Sequence, residues 1–104
     1  MNKGLPLNPQ ERVEALKKRH RKTYDNVMNT AKILDWDDVE ALLVALGCVR
    51  AEGSGSRVKF SHPNTPHVLQ LHAPHGGRKT IIIWAIQQTR DYLIMAGFLP
   101  RNGK

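Results

Sequence analysis

Two histidines, His72 and His75, stand where the stretch LQLHAPHGGRK (residues 69–79) passes from an apolar alternation into a proline, a glycine pair and two cations. An imidazole titrates near neutrality, so it can take up or release a proton without extreme tuning. Gly76 and Gly77 let a phosphate approach the backbone, and Arg78 and Lys79 can neutralise it. Cleavage of RNA without a metal needs a base for the 2′-hydroxyl, an acid for the leaving oxygen and cations for the charge on phosphorus. His75 is the leading candidate for the proton transfer and His72 the second. The plainer reading is a basic loop whose histidine only contacts phosphate, and these residues alone leave both open.

The remaining histidines carry less. His20 falls on the apolar stripe of a helix pattern, and His62 and His67 flank a proline-rich turn where a solvated position is expected. Zinc could use imidazoles, but no H-E-x-x-H pattern, cysteine cluster or nearby group of carboxylates accompanies them. No metal or other cofactor is expected. The lone cysteine, Cys48, can form no internal disulfide and reads as a small buried side chain.

The 104 residues suit one domain with a modest core. No apolar run approaches the roughly 20 residues of a membrane span. The opening MNKGLPLNPQER lacks the apolar stretch of a secretory signal, so a cytoplasmic, reducing location is expected. The net charge is +7, and it is unevenly spread. Residues 1–32 carry eight Lys/Arg against three acids, residues 33–52 one against five, and residues 53–104 seven against one. Two basic regions flanking an acidic one make a directional field that suits a polyanionic partner.

The elements that must position these groups can be read from pattern. Asn8, Pro9 and Glu11 form a helix start, and Val13, Leu16, His20, Tyr24, Val27 and Ala31 recur at helical spacing, which predicts one long helix. Its stripe is expected to pack on the rest of the domain. A second helix starts at Asp35, with Asp37 and Asp38 in its first turn, and Gly47 stops it after Val39, Leu42, Leu43 and Leu46. Strands are expected over 49–52, 56–61 and about 67–72, joined by Gly53-Ser54-Gly55 and by the turn Pro63–Pro66. Alternation puts Val58, Phe60, Leu69 and Leu71 on one face, and Arg57, Lys59, Gln70 and His72 on the other. A last helix from Thr80 places Ile82, Ala85, Ile86, Thr89, Leu93 and Ala96 on one face, and Gly97 ends it with Phe98 folding back. The fold class is α+β, of order α-β-β-β-α behind an additional N-terminal helix.

From Trp36 to about Leu99 the chain resembles the HicA-type mRNA interferase toxins of bacterial toxin–antitoxin pairs. The resemblance is carried by "LVALG", "EGSGSRVKF", "LHAPHGGRK" and the closing "MAGF", in that order and spacing. It implies a double-stranded-RNA-binding-like fold, a metal-independent endoribonuclease that cleaves mRNA and blocks translation, and a cognate, HicB-like antitoxin with which it can form a hetero-oligomer. Residues 35–100 would be the HicA-like domain and residues 1–34 an N-terminal helical extension that the domain can fold without.

In that family the second strand usually opens Gly-Ser-His, and the histidine is catalytic. Here Gly55-Ser56 is followed by Arg57, as in a branch with GSGSR. Either His75 and His72 carry the acid–base chemistry while Arg57 holds phosphate, or the protein is a nucleic-acid-binding module that does not cut. Gly55, Ser56, Arg57, Lys59, Arg78 and Lys79 are the expected RNA-binding residues.

Overall fold

The computed structural model describes residues 8–74 and 79–101. The elements are α1 (Pro9–Glu14), α2 (Lys18–Met28), β1 (Ile33–Asp35), α3 (Trp36–Ala45), β2 (Val49–Glu52), β3 (Arg57–His62), β4 (Thr65–His72), β5 (Thr80–Ile82) and α4 (Ile83–Met95). The order α3-β2-β3-β4-α4 realises the expected α+β core, with β5 inserted before the last helix.

The predicted long helix is two. Its start is a full capping box, with the Glu11 N–H donating to Asn8 Oδ1 at 2.8 Å and the Asn8 N–H to Glu11 Oε1 at 3.1 Å. The ladder then stops after Glu14, and the chain is extended at Lys17 before α2 begins. The turn swings Leu16 into the core beside Val13, and Arg21 donates to the freed Leu16 carbonyl at 3.2 Å. Neither proline nor glycine marks this break.

α2 ends with a residue of the wrong type for its conformation. Thr30 has φ +51° in a turn where the Ala31 N–H reaches back to the Asn26 carbonyl at 2.9 Å. A β-branched side chain is strained there, whereas glycine is not. Thr30→Gly is therefore expected to raise stability by about 1 kcal/mol, read as a higher midpoint in urea with an unchanged slope. A lower midpoint would show that Thr30 makes compensating contacts. By contrast α3 and α4 stop as expected, at Gly47 (φ +98°) and Gly97 (φ +95°). The Cys48 N–H bonds the Leu43 carbonyl and the Phe98 N–H the Leu93 carbonyl, which fold both following side chains inward.

β2, β3 and β4 form an antiparallel sheet in the order β2-β3-β4. Val58, Phe60, Leu69 and Leu71 are buried against the helices, as the alternation predicts. The β3–β4 turn is tighter than expected: His62 pairs with Thr65 across Pro63-Asn64, so Thr65 and Pro66 belong to β4. The strand expected to be helix is the larger correction. Thr80–Ile82 pairs antiparallel with Ile33–Asp35 as a separate two-stranded ribbon, and Ile82, expected on the buried helix face, points outward. Asp35 occupies the cap position of α3 but its side chain makes no capping bond, because its backbone is the last pair of that ribbon.

One core joins all of this. Val13, Leu16, Tyr24, Val27 and Met28 from α1, α2 and their connection belong to the same buried cluster as the sheet, α3 and α4. The Tyr24 hydroxyl donates to the Leu99 carbonyl, Arg90 donates to the Met28 carbonyl at 3.1 Å, and Arg101 grips Asp25 through two bonds of 3.0 Å. Burial, then the adjacent Asp25 charge, holds the Tyr24 phenol well above its ordinary range, so it remains a neutral donor. Cys48 is buried as expected, and burial pushes its thiol up to about 11, which leaves it protonated and unreactive at neutral pH.

Candidate nucleic-acid interface

The helices cover one face of the three-stranded sheet and leave the other open. Register sets what the open face displays. Arg57 lies directly opposite His72, Lys59 lies between Ala51 and Gln70, and Ser61 lies between Val49 and Val68. One end of the face is therefore cationic and the other apolar. Glu52 pairs with Val58, whose side chain is buried, so the alternation aims it away from the open face. Among the described residues no carboxylate lies in these three rows.

Local backbone chemistry builds the cationic end. Gly55 has φ +63°, and the Gly53 N–H bonds the Arg57 carbonyl at 2.8 Å while the Arg57 N–H bonds the Ser54 carbonyl at 3.2 Å. This closes the turn that delivers Ser56 and Arg57 onto the face. A Cβ placed on Gly55 would meet nothing within 4 Å, so the turn borders open space. The Ala73 N–H donates to the Ser56 carbonyl at 2.8 Å and extends the pairing one residue past His72. Ser56 Oγ then lies 3.4 Å from His72 Nδ1, the outer limit of a hydrogen bond. That contact involves Nδ1 and not Nε2, and His72 is exposed. Sequence reasoning missed this Ser56–His72 pair, since only cross-strand register puts residues 56 and 72 side by side.

Of the expected site residues, the structure brings Gly55, Ser56, Arg57, Lys59 and His72 together on one face. Lys79 is exposed at the head of β5, where its carbonyl accepts from the Trp36 N–H at 2.7 Å. His75 and Arg78 lie outside the described residues.

His62 is not the solvated turn residue that its neighbours suggest. It is 7% exposed, with Nε2 2.9 Å from the Leu46 carbonyl and Nδ1 3.1 Å from the Asn64 N–H. The Asn64 N–H donates to Nδ1, so the proton sits on Nε2 and is given to Leu46. Phe98 meets the ring edge-on at 5.4 Å. His62 thus ties the end of α3 to the β3–β4 turn, and the turn in turn holds α4, since Asn64 donates to the Ala96 carbonyl at 3.1 Å. His67 is exposed and His20 half-buried. His20 borders an open hollow with Asp37, Glu40, Val44 and Arg50, and Arg50 there pairs with Glu40 of α3. That hollow lies on the helix side of the sheet and contains none of the candidate groups.

Among the described residues no three metal-ligating side chains converge, and no helix is long and apolar enough to cross a membrane. Neither the curated proteins nor the solved structures yielded a match. A family model described as HicA toxin of bacterial toxin–antitoxin matches residues 36–89, from the first residue of α3 into α4. With just over half of its length inside that match, the chain belongs to the HicA toxin family.

Proposed function

We propose that this toxin is a metal-independent endoribonuclease that cleaves mRNA in the cytoplasm and thereby blocks translation. The observation that carries the reading is the juxtaposition of Arg57, Ser56 and His72 at the cationic end of an open sheet face, and His75 follows His72 by three residues in the sequence. In the reaction a base removes the proton of a ribose 2′-hydroxyl and the oxygen attacks the adjacent phosphorus. The bond to the 5′-oxygen breaks, and an acid returns a proton to that leaving oxygen. The products are a 2′,3′-cyclic phosphate and a 5′-hydroxyl end. His75 and His72 are the two proton carriers, while Arg57, Lys59, Arg78 and Lys79 hold the backbone and offset the charge that builds on phosphorus.

Purified protein incubated with mRNA in EDTA tests this. Cleavage that persists and leaves cyclic-phosphate ends supports it, and intact RNA, with ribosomes present or absent, overturns it. One observation favours a second reading. Arg57, rather than the family's usual histidine, faces His72, which suits a module that binds RNA or DNA without cutting.

Binding itself is expected to be electrostatic. Affinity for single-stranded RNA should fall with salt at a log–log slope of about −0.7 per neutralised phosphate. Arg57→Ala, Lys59→Ala and Lys79→Ala should each flatten the slope by roughly one contact. Affinity indifferent to salt would remove the electrostatic basis of the site.

A further inference from the structure

Trp84, in the first turn of α4, is 58% exposed, although an indole is a large apolar group to leave in water. Ala85, Ile86 and Thr89 on the opposite side of the helix are buried, so the core makes no use of it. One exposed apolar residue is ordinary by itself. Its position along β4 is what gives this one a role.

Two contacts fix how α4 lies against β4. The Asn64 side chain donates to the Ala96 carbonyl at 3.1 Å, and Gln88 Nε2 donates to the Gln70 carbonyl at 3.4 Å. Helix and strand therefore run antiparallel. The Ala73 N–H bonds Ser56, so the pairs Val58–Leu71 and Phe60–Leu69 carry the ladder bonds. By the same alternation the Gln70 carbonyl points off the sheet edge, and Gln88 meets it from outside. Trp84 lies one turn before Gln88 on the same flank of α4, while Arg90, which donates to Met28 of α2, lies on the other. The four helical residues from Gln88 back to Trp84 span about 6 Å, and the two strand residues from Gln70 to His72 about 7 Å, in the same direction. The indole thus comes level with His72 on the outer flank of β4.

We infer that Trp84 is a stacking platform for one unpaired base of the RNA strand whose phosphates Arg57 and Lys59 hold. The inference rests on the RNA-binding reading of the open face, and not on cleavage. Charge complementarity draws the backbone to that end of the sheet, since the rows with Arg57, Lys59 and His72 contain no carboxylate among the described residues. The base itself is uncharged, so the exposed Asp35, across the ribbon from Thr80, does not oppose a stack on the indole. Gln87 and Gln88, the exposed neighbours of Trp84 on α4, are neutral. Every base has a flat π face, so such a stack tolerates sequence but needs a base that is not paired. The strand taken is single-stranded.

The test titrates the full chain with a short single-stranded 2′-O-methyl RNA, which lacks the hydroxyl nucleophile and so reports binding without cleavage. Of the two tryptophans, Trp36 is buried and Trp84 exposed, so quenching of emission on binding reports a base on Trp84. Trp84→Ala should weaken binding roughly 5- to 100-fold, the loss of one base–aromatic stack. Trp84→Phe should keep most of the affinity. Trp84→Leu retains apolar bulk without a ring and should bind as weakly as Trp84→Ala. An abasic strand of the same length and charge should bind the wild type and Trp84→Ala equally. The salt slope should be the same in both proteins, because an indole displaces no counterion. Parent affinity in Trp84→Ala, an equal loss on the abasic strand, or emission left unquenched by the base-bearing strand overturns the proposal. So does an RNA duplex that quenches as strongly as the single strand. Salt-dependent binding that Trp84→Ala leaves intact sinks the stack alone, whereas a wild type that binds neither strand sinks the RNA-binding reading with it. A failure of RNA cleavage alone leaves all of these readouts unchanged.

Discussion

His75→Ala is expected to lower RNA cleavage by about 10²–10⁴-fold, the usual contribution of a positioned acid or base. RNA affinity should stay within a few-fold of the parent, because Arg57, Lys59 and Lys79 still supply the backbone contacts. The two effects separate for a physical reason. A phosphate-holding side chain binds ground and transition states alike, whereas a proton carrier acts only as the bond breaks. His72→Ala should give a smaller loss of rate if its Nε2 is the second carrier, and only weaker binding if it is not. Ser56→Ala provides a further check, because removing the 3.4 Å contact frees the His72 ring without deleting it. It should lower the rate less than His72→Ala does. Melting curves of each variant tell lost chemistry from lost fold. Undiminished cleavage by His75→Ala would overturn the site assignment, and tight binding without any cleavage by the wild type would favour the module that does not cut.

Deletion of residues 1–32 is expected to abolish cooperative folding, contrary to what the sequence pattern suggests for an N-terminal extension. Two helices and a three-stranded sheet look sufficient on paper. In the structure, however, Tyr24 and Val27 are completely buried, and Val13, Leu16 and Met28 nearly so. Each such side chain contributes about 1.5–3 kcal/mol on burial. Five together are of the order of the entire net stability of a small domain, about 5–15 kcal/mol. The deletion also strips the Leu99 carbonyl of its Tyr24 donor, Arg90 of its Met28 acceptor and Arg101 of Asp25. Thermal melting followed by circular dichroism should show a broad, non-cooperative loss of signal. Tyr24→Ala in the full chain gives a graded version and should cost about 3–5 kcal/mol. A truncated chain that melts sharply near the parent temperature would show that residues 35–100 are self-sufficient.

What could be read from the sequence follows from the range of the interactions involved. The Asn8–Glu11 capping box, the glycine stops at 47 and 97, and the facing of Arg57 and Lys59 away from Val58 and Phe60 each depend on atoms a few residues apart. Backbone geometry settles such features locally, and so the residue types announce them. The separation of a basic sheet face from the buried one was legible for the same reason.

Contacts between distant segments settled the rest. The break at Leu16–Lys17 carries no proline or glycine, and it exists because Leu16 gains burial by turning inward. Residues 80–82 match a helical stripe by spacing, but their backbone pairs with residues 33–35, nearly half the chain away, and strand geometry prevails. His62 sits beside a proline and looks solvated, yet the Leu46 carbonyl, the Asn64 N–H and the Phe98 ring converge on it from three parts of the chain. The Ser56–His72 contact likewise exists only once β3 and β4 are in register. Local pattern specified which residues turn toward a core. Which surfaces meet there was decided by the summed burial of side chains from α1 to α4, a quantity that no short window of sequence contains.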